Sequence, residues 1–159
     1  MRNHLEYFDL LQEQIEKFEK ELKRIYDESP VCKRLTTIPG IGPITATAII
    51  AAVADVNSFK SGRDLSAWLG LVPKHSGTGG KTQMGKISKR GDDYLRTLLI
   101  HGGRAVVRTV GEKTDRRSRW IAEKVKTRGK NKAAVAVANK NARVIWKLLK
   151  TDETYQIAA

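Results

Sequence analysis

The chain has 159 residues, 40% of them hydrophobic, and a formal net charge of +13. That is enough apolar matter for one cored domain with an appendage, and a purely structural role leaves so basic a balance unexplained. A single cysteine, Cys32, excludes an internal disulfide framework and a cysteine-based metal cage.

The charge is unevenly placed. Residues 1–28 carry five basic and eight acidic side chains, whereas residues 74–150 carry 21 basic and five acidic ones, net +16. A block this basic points to a polyanion, and nucleic acid fits better than membrane because no helix pairs a basic face with a wide aromatic one. No apolar run approaches eighteen residues, and the start shows no signal-peptide pattern. The expectation is a soluble intracellular protein.

Residues 1–28 read as a coiled-coil helix. Phe8, Leu11, Ile15, Phe18, Leu22 and Ile25 recur at spacings of three and four, with Glu, Gln and Lys mostly between them. Such a seam needs a partner, either a second copy or another part of the chain. Ser29-Pro30 ends the segment.

Next comes "LTTIPGIGPITATAIIAAVADV", residues 35–56. It predicts two short helices joined through Pro39-Gly40-Ile41-Gly42, with Pro43 at the first turn of the second. This resembles a helix-hairpin-helix motif, which implies that Gly40 and Gly42 bring backbone N–H groups to a nucleic-acid phosphate. A tight helical turn without ligand is the plainer reading. "SGRDLSAWLGLVP" then gives a helix capped by Ser61, with Leu65, Trp68 and Leu69 expected in the core.

"KHSGTGGKTQMGKISKRG", residues 74–91, is rich in glycine and cations and has no acid. It is not a P-loop, because His75 stands where that motif needs its first glycine and no strand pattern precedes it. It reads as a flexible basic loop. A long helix begins at Asp92 or Asp93, with Tyr94, Leu95, Leu98, Leu99, Ala105 and Val106 as its apolar stripe and Arg96, Arg104 and Arg108 on other faces. Two more helices are predicted, near 115–127 and 132–149, separated by Gly129, and residues 151–159 form a tail. No strand is predicted. The fold class is all-α: a coiled-coil helix (1–28) followed by a helical domain (29–150) containing the helix-hairpin-helix motif.

These pieces in this order, "LTTIPGIGPITATAIIA" and then "LSAWLGLVPKHSGTGGKTQMGKISKRGDDYLRTLLIHGGRAV", resemble the C-terminal domain of DEDD-type insertion-sequence transposases. These are RNA-guided bridge recombinases related to Piv-type DNA invertases. The resemblance covers residues 30–150, and the heptad helix is similar to the coiled coil that precedes this domain in the family. It implies that Ser76, in the "SG" step after "GLVP", is the nucleophile that attacks a DNA phosphate. Lys74, His75, Lys81, Lys86, Lys89 and Arg90 are cations available to the charge that develops. Ser88 is the runner-up hydroxyl, more simply structural. Arg96 matches the family's "LR" step and, with Arg104, is expected to hold phosphate.

The resemblance also implies DNA and a guide RNA as partners, self-association through the coiled coil, and a nucleoid-associated location in a bacterial or archaeal cytoplasm. Its divalent metal, magnesium, belongs to an acidic RuvC-like domain. Asp55, Asp64, Asp92 and Asp93 are too scattered to replace that domain. The expectation is therefore no metal site in these residues and no strand exchange by them alone. A non-catalytic nucleic-acid-binding module is the alternative. A base-excision glycosylase is disfavoured, since no Asp follows the hairpin at the needed distance and no cysteine cluster follows either. A purely structural coiled-coil protein leaves the basic block unexplained.

Overall fold

The computed structural model describes residues 2–78, 81–111 and 113–156, and the side chains among them other than those of 2–3, 75–78 and 81–84. The described residues are predominantly helical. Helix α1 (Arg2–Glu28) is followed by α2 (Pro30–Thr36), α3 (Pro43–Ala52), a 3-10 turn (Val56–Ser58) and α4 (Gly62–Trp68). A β-hairpin, β1 (Pro73–Thr78) and β2 (Lys81–Ile87), precedes α5 (Asp93–Thr109), α6 (Arg116–Arg128) and α7 (Lys130–Lys150).

Local chemistry sets these boundaries. Ser29, Ser61, Asp92 and Asp115 cap α2, α4, α5 and α6, each side-chain oxygen accepting a backbone N–H three residues on. Pro30 and Pro43 occupy first-turn positions, where a missing N–H costs nothing. Helix α7 is the central post. Ala133, Ala134, Val137, Ala138, Asn141, Ala142, Ile145 and Leu148 are buried along one helical face, and the four alanines among them let neighbours close in. Gly103 of α5 lies against the Ala134 backbone in that way. The main core joins Leu35, Ile38, Ile49, Leu65, Leu71, Leu95 and Leu99 to the C-terminal half of α7. A smaller core joins Val107, Ile121 and Val137.

Three expectations change. The basic segment is not an irregular loop: residues 73–87 form an antiparallel hairpin, so a small sheet joins the helical fold. Backbone pairing across the two strands outweighs the poor strand propensity of glycine and lysine. Trp68, expected in the core, is 39% exposed and meets Phe59 edge-on at 5.5 Å. Tyr94, expected in the α5 stripe, is 60% exposed because it falls beside the buried face that Leu95 and Leu99 define.

Helix α1 packs only near its C-terminal end, where Tyr26 joins the main core and its hydroxyl meets Thr36 Oγ1 at 3.1 Å. Phe8, Leu11, Ile15, Phe18 and Ile25 of the heptad seam stay exposed, and Leu22 is half-buried. No helix of the described residues is long and apolar enough to cross a membrane.

Candidate functional site: a basic hairpin on a braced foot

The hairpin stands on a foot made by the end of α4 and the start of α5. Gly70 closes α4 with φ of +69°, a left-handed conformation that glycine adopts without strain. Its carbonyl accepts from Lys89 N at 3.1 Å, and Val72 O accepts from Ser88 N at 2.7 Å. These bonds zip the two ends of the hairpin together below β1 and β2. Between the strands, Ser76 is paired with Gln83 and Thr78 with Lys81. The register slips between Pro73 and His75, where β2 carries one residue more than β1. A bulge of this kind adds twist and re-aims the strand beyond it.

Arg96 braces the foot from below. The residue is 6% exposed. Nη1 donates to the carbonyls of Leu69, Gly91 and Asp92 at 3.3–3.4 Å, and Nη2 donates to Asp93 Oδ1. One guanidinium thus ties the exit of α4 to the entry of α5. Arg96 was expected to hold phosphate; its side chain is instead turned inward, with Nη1 and Nη2 spent on three carbonyls and the Asp93 carboxylate, so it positions the hairpin.

The other anticipated residues divide by location. Lys74, Lys86, Lys89 and Arg90 are exposed around the hairpin and its foot, and Arg104 is exposed on α5. The side chains of Ser76, His75 and Lys81 lie outside the described residues; their backbone places all three on the paired strands. Ser88 is half-buried, and its Oγ accepts from Arg90 N at 3.5 Å. Gly42 caps α3 and is exposed, whereas Gly40 packs against α5. The α2–α3 turn therefore offers Gly42 and the first turn of α3 to solvent, and turns Gly40 inward.

Positioning residues on α7 were not anticipated. Asn141 is fully buried; its Nδ2 donates to Pro39 O at 3.0 Å and its Oδ1 accepts from Arg117 Nη2 at 2.8 Å. Asn139 Nδ2 donates to Ser66 Oγ at 2.7 Å and to Leu71 O at 3.1 Å. These two amides fix the α2–α3 turn and the root of β1 to the same helix. The available signal was two asparagines inside an alanine- and valine-rich stripe, where a buried amide requires partners.

Residues 32–119 match the Transposase IS116/IS110/IS902 family. The chain is 48% identical over 146 residues to a probable family 20 transposase of Pseudomonas aeruginosa, covering 92% of this chain and 43% of that one. It is 46% identical over 155 residues to the transposase for insertion sequence element IS1111A of Coxiella burnetii, covering 96% and 43%. A pilin gene-inverting protein of Moraxella bovis is 36% identical over 67 residues, or 42% of this chain and 21% of that one. The chain belongs to the IS116/IS110/IS902 transposase family. It spans about two fifths of the length of the first two relatives.

Proposed function

We propose that this chain supplies the DNA-handling and strand-transfer part of a transposase, with Ser76 as nucleophile. The observation that carries the reading is the paired position of Ser76 in β1 of a braced hairpin, with exposed Lys74 and Lys86 on its strands and Lys89 and Arg90 just beyond them. Such a hairpin holds a reacting group at a defined height above the helical body, and its cations face the charge of a phosphodiester.

In the proposed step, Ser76 Oγ attacks phosphorus. The new Oγ–P bond replaces one P–O bond to the DNA sugar. The proton lost by the serine is balanced by the one gained by the departing sugar hydroxyl. A second strand end reverses the exchange, so no water or external energy source is consumed. The family resemblance also brings in a divalent metal. Among the described residues, no group of three or more His, Cys, Asp or Glu is placed to hold one, so no part of the step is assigned to a metal here. A guide RNA and self-association through α1 complete the proposal.

The second reading is a non-catalytic helix-hairpin-helix module, favoured by the exposed Gly42 and the uncapped first turn of α3. The two separate in one experiment. The chain is combined with an acidic RuvC-like domain, guide RNA and DNA, and protein–DNA adducts are sought on a denaturing gel. Wild type and Ser88→Ala are expected to give an adduct and Ser76→Ala none. An adduct in Ser76→Ala overturns the nucleophile assignment. DNA binding with no adduct in any protein, where a full-length relative forms one, favours the module.

A further inference from the structure

A second basic feature lies beside the root of the hairpin. It is a groove of about 1120 Å³ between α7, the start of α4 and the root of the hairpin at Pro73 and Ile87, with Trp120 of α6 also lining it. Arg63, Lys132, Lys140, Arg143 and Lys147 line it, and no acidic residue does. Lys147 is paired with Glu153 at 2.7 Å. Among the described residues, the other four have no carboxylate partner.

We propose that this groove binds single-stranded nucleic acid, taking phosphates on the cations of α7 and bases on its apolar floor. The proposal rests on the nucleic-acid reading of the chain, but not on the role of Ser76.

Three features converge on that occupant. The first is the shape of the charge. Lys132 to Lys147 spans fifteen residues of one helix, about 22 Å at 1.5 Å per residue, which suits a backbone of several phosphates better than one small anion. The second is a strained cation. Lys140 is half-buried with Nζ 4.5 Å from the centre of the Trp120 ring. Burial, and then the guanidinium groups of Arg117, Arg116 and Arg143, hold its ammonium below the usual lysine range. A polyanion in the groove relieves that repulsion. The third is the floor. Leu71, Pro73, Ile87 and Val144 line the groove together with Trp146, whose indole N–H is held by Phe59 O at 3.0 Å. An apolar and aromatic floor serves unstacked bases, whereas a duplex hides its bases and presents phosphate alone.

The groove also leads to the proposed site. Pro73 and Ile87 are the first residue of β1 and the last of β2, and they face each other in the ladder. Ser76 is three residues further along β1, roughly 10 Å at 3.3 Å per residue. A strand seated in the groove is thereby delivered to the root of the hairpin.

The test measures fluorescence anisotropy of labelled dT12, rU12 and a 12-base-pair duplex with the 159-residue chain, over a salt series. Lys132→Glu/Arg143→Glu reverses two groove charges, and Lys74→Glu/Lys86→Glu makes the same net change on the hairpin. Circular dichroism checks that both variants fold. The groove variant is expected to lose tenfold or more in affinity for dT12 or rU12, and its salt slope should fall by roughly 1.4 for two lost contacts. The preferred oligonucleotide names the sugar. Unchanged single-strand affinity in the groove variant, with a loss in the hairpin variant, overturns the groove and leaves the nucleic-acid reading standing. A loss confined to the duplex overturns the single-strand assignment. No binding by wild type to any of the three at low salt overturns both readings.

Discussion

Gly40 and Gly102 meet backbone to backbone, the turn between α2 and α3 resting on the middle of α5. A Cβ on Gly40 would stand 2.6 Å from the Gly102 carbonyl oxygen, and a Cβ on Gly102 would overlap the Gly40 carbonyl. Gly40 also has φ of +89°. This contact sets how closely the turn approaches the helix that begins at the hairpin foot. Replacing Gly102 by alanine gains up to about 1 kcal/mol of helix propensity. Overpacking against a backbone oxygen costs about 1–3 kcal/mol or more, since no flexible side chain can yield. The clash wins, and Gly102→Ala is expected to lower the urea midpoint with little change in its slope. A higher midpoint would show that α5 can slide away from the turn.

The same turn is held from its other side by α7. Asn141→Leu keeps the volume but removes the bonds to Pro39 O and to the Arg117 guanidinium. Arg117 retains the Tyr155 hydroxyl at 2.8 Å and a longer contact to Pro39 O at 3.4 Å. A buried guanidinium missing one strong acceptor costs about 2–3 kcal/mol. Chemical denaturation of Asn141→Leu is expected to show that loss. A neutral or stabilising result would mean that the amide can be exchanged for packing alone.

Much of this architecture is legible in the sequence, and the reason differs by element. Helices α5 and α7 repeat buried residues over several turns, and Ser29, Ser61 and Asp92 carry capping chemistry that needs no tertiary knowledge. The hairpin was missed because its strands are glycine- and lysine-rich and one β-bulge breaks the alternation that marks a strand. A Gly-Gly step between two runs of similar length is a sequence signal for a hairpin. The role proposed for Ser76 comes from family resemblance and not from its own chemistry, since a serine beside glycine is common in turns. Arg96 is expected on phosphate only through its match to the family's "LR" step. Only the fold reveals three carbonyls converging on it. The groove was illegible for a related reason: Arg63 and Arg143 are eighty residues apart, and their juxtaposition depends on α4 packing across α7.

The N-cap of α6 makes a pH prediction. Asp115 accepts from the Ser118 side chain and backbone N–H, and these bonds hold its carboxyl below the usual value of 3.8. A carboxyl with a lowered folded-state pKa contributes stability above its unfolded value, and that contribution fades as pH falls through the folded value. Asp115→Ala should therefore melt below wild type at pH 5–7, and the gap should narrow as pH drops below about 3.8. A gap that stays constant down to pH 2 would assign the effect to shape and not to charge.

The exposed seam of α1 yields the last prediction. Phe8, Leu11, Ile15, Phe18 and Ile25 are between 42% and 65% exposed, although they recur at the spacing of a buried helical interface. Only the C-terminal end of α1, near Tyr26, packs on the rest of the chain. Leaving five large apolar side chains in water forfeits roughly 1.5–3 kcal/mol for each that a partner could fully bury. The seam is therefore expected to pair with a second copy of itself. Arg24 reinforces such a helix from outside the seam: it bridges Glu21 and Glu28 at 2.6 and 2.9 Å on one exposed face. Ile15→Asp places a carboxylate in the middle of the seam, where a paired helix would have to desolvate it. Sedimentation velocity over a concentration series should show wild type associating and Ile15→Asp sedimenting as a monomer. Lys17→Asp, one turn-step off the seam, changes charge even more and should leave association within about threefold of wild type. If both variants associate like wild type, the seam is not the interface. If wild type is itself a monomer at the highest concentration, the seam does not self-pair, and self-association through α1 is overturned.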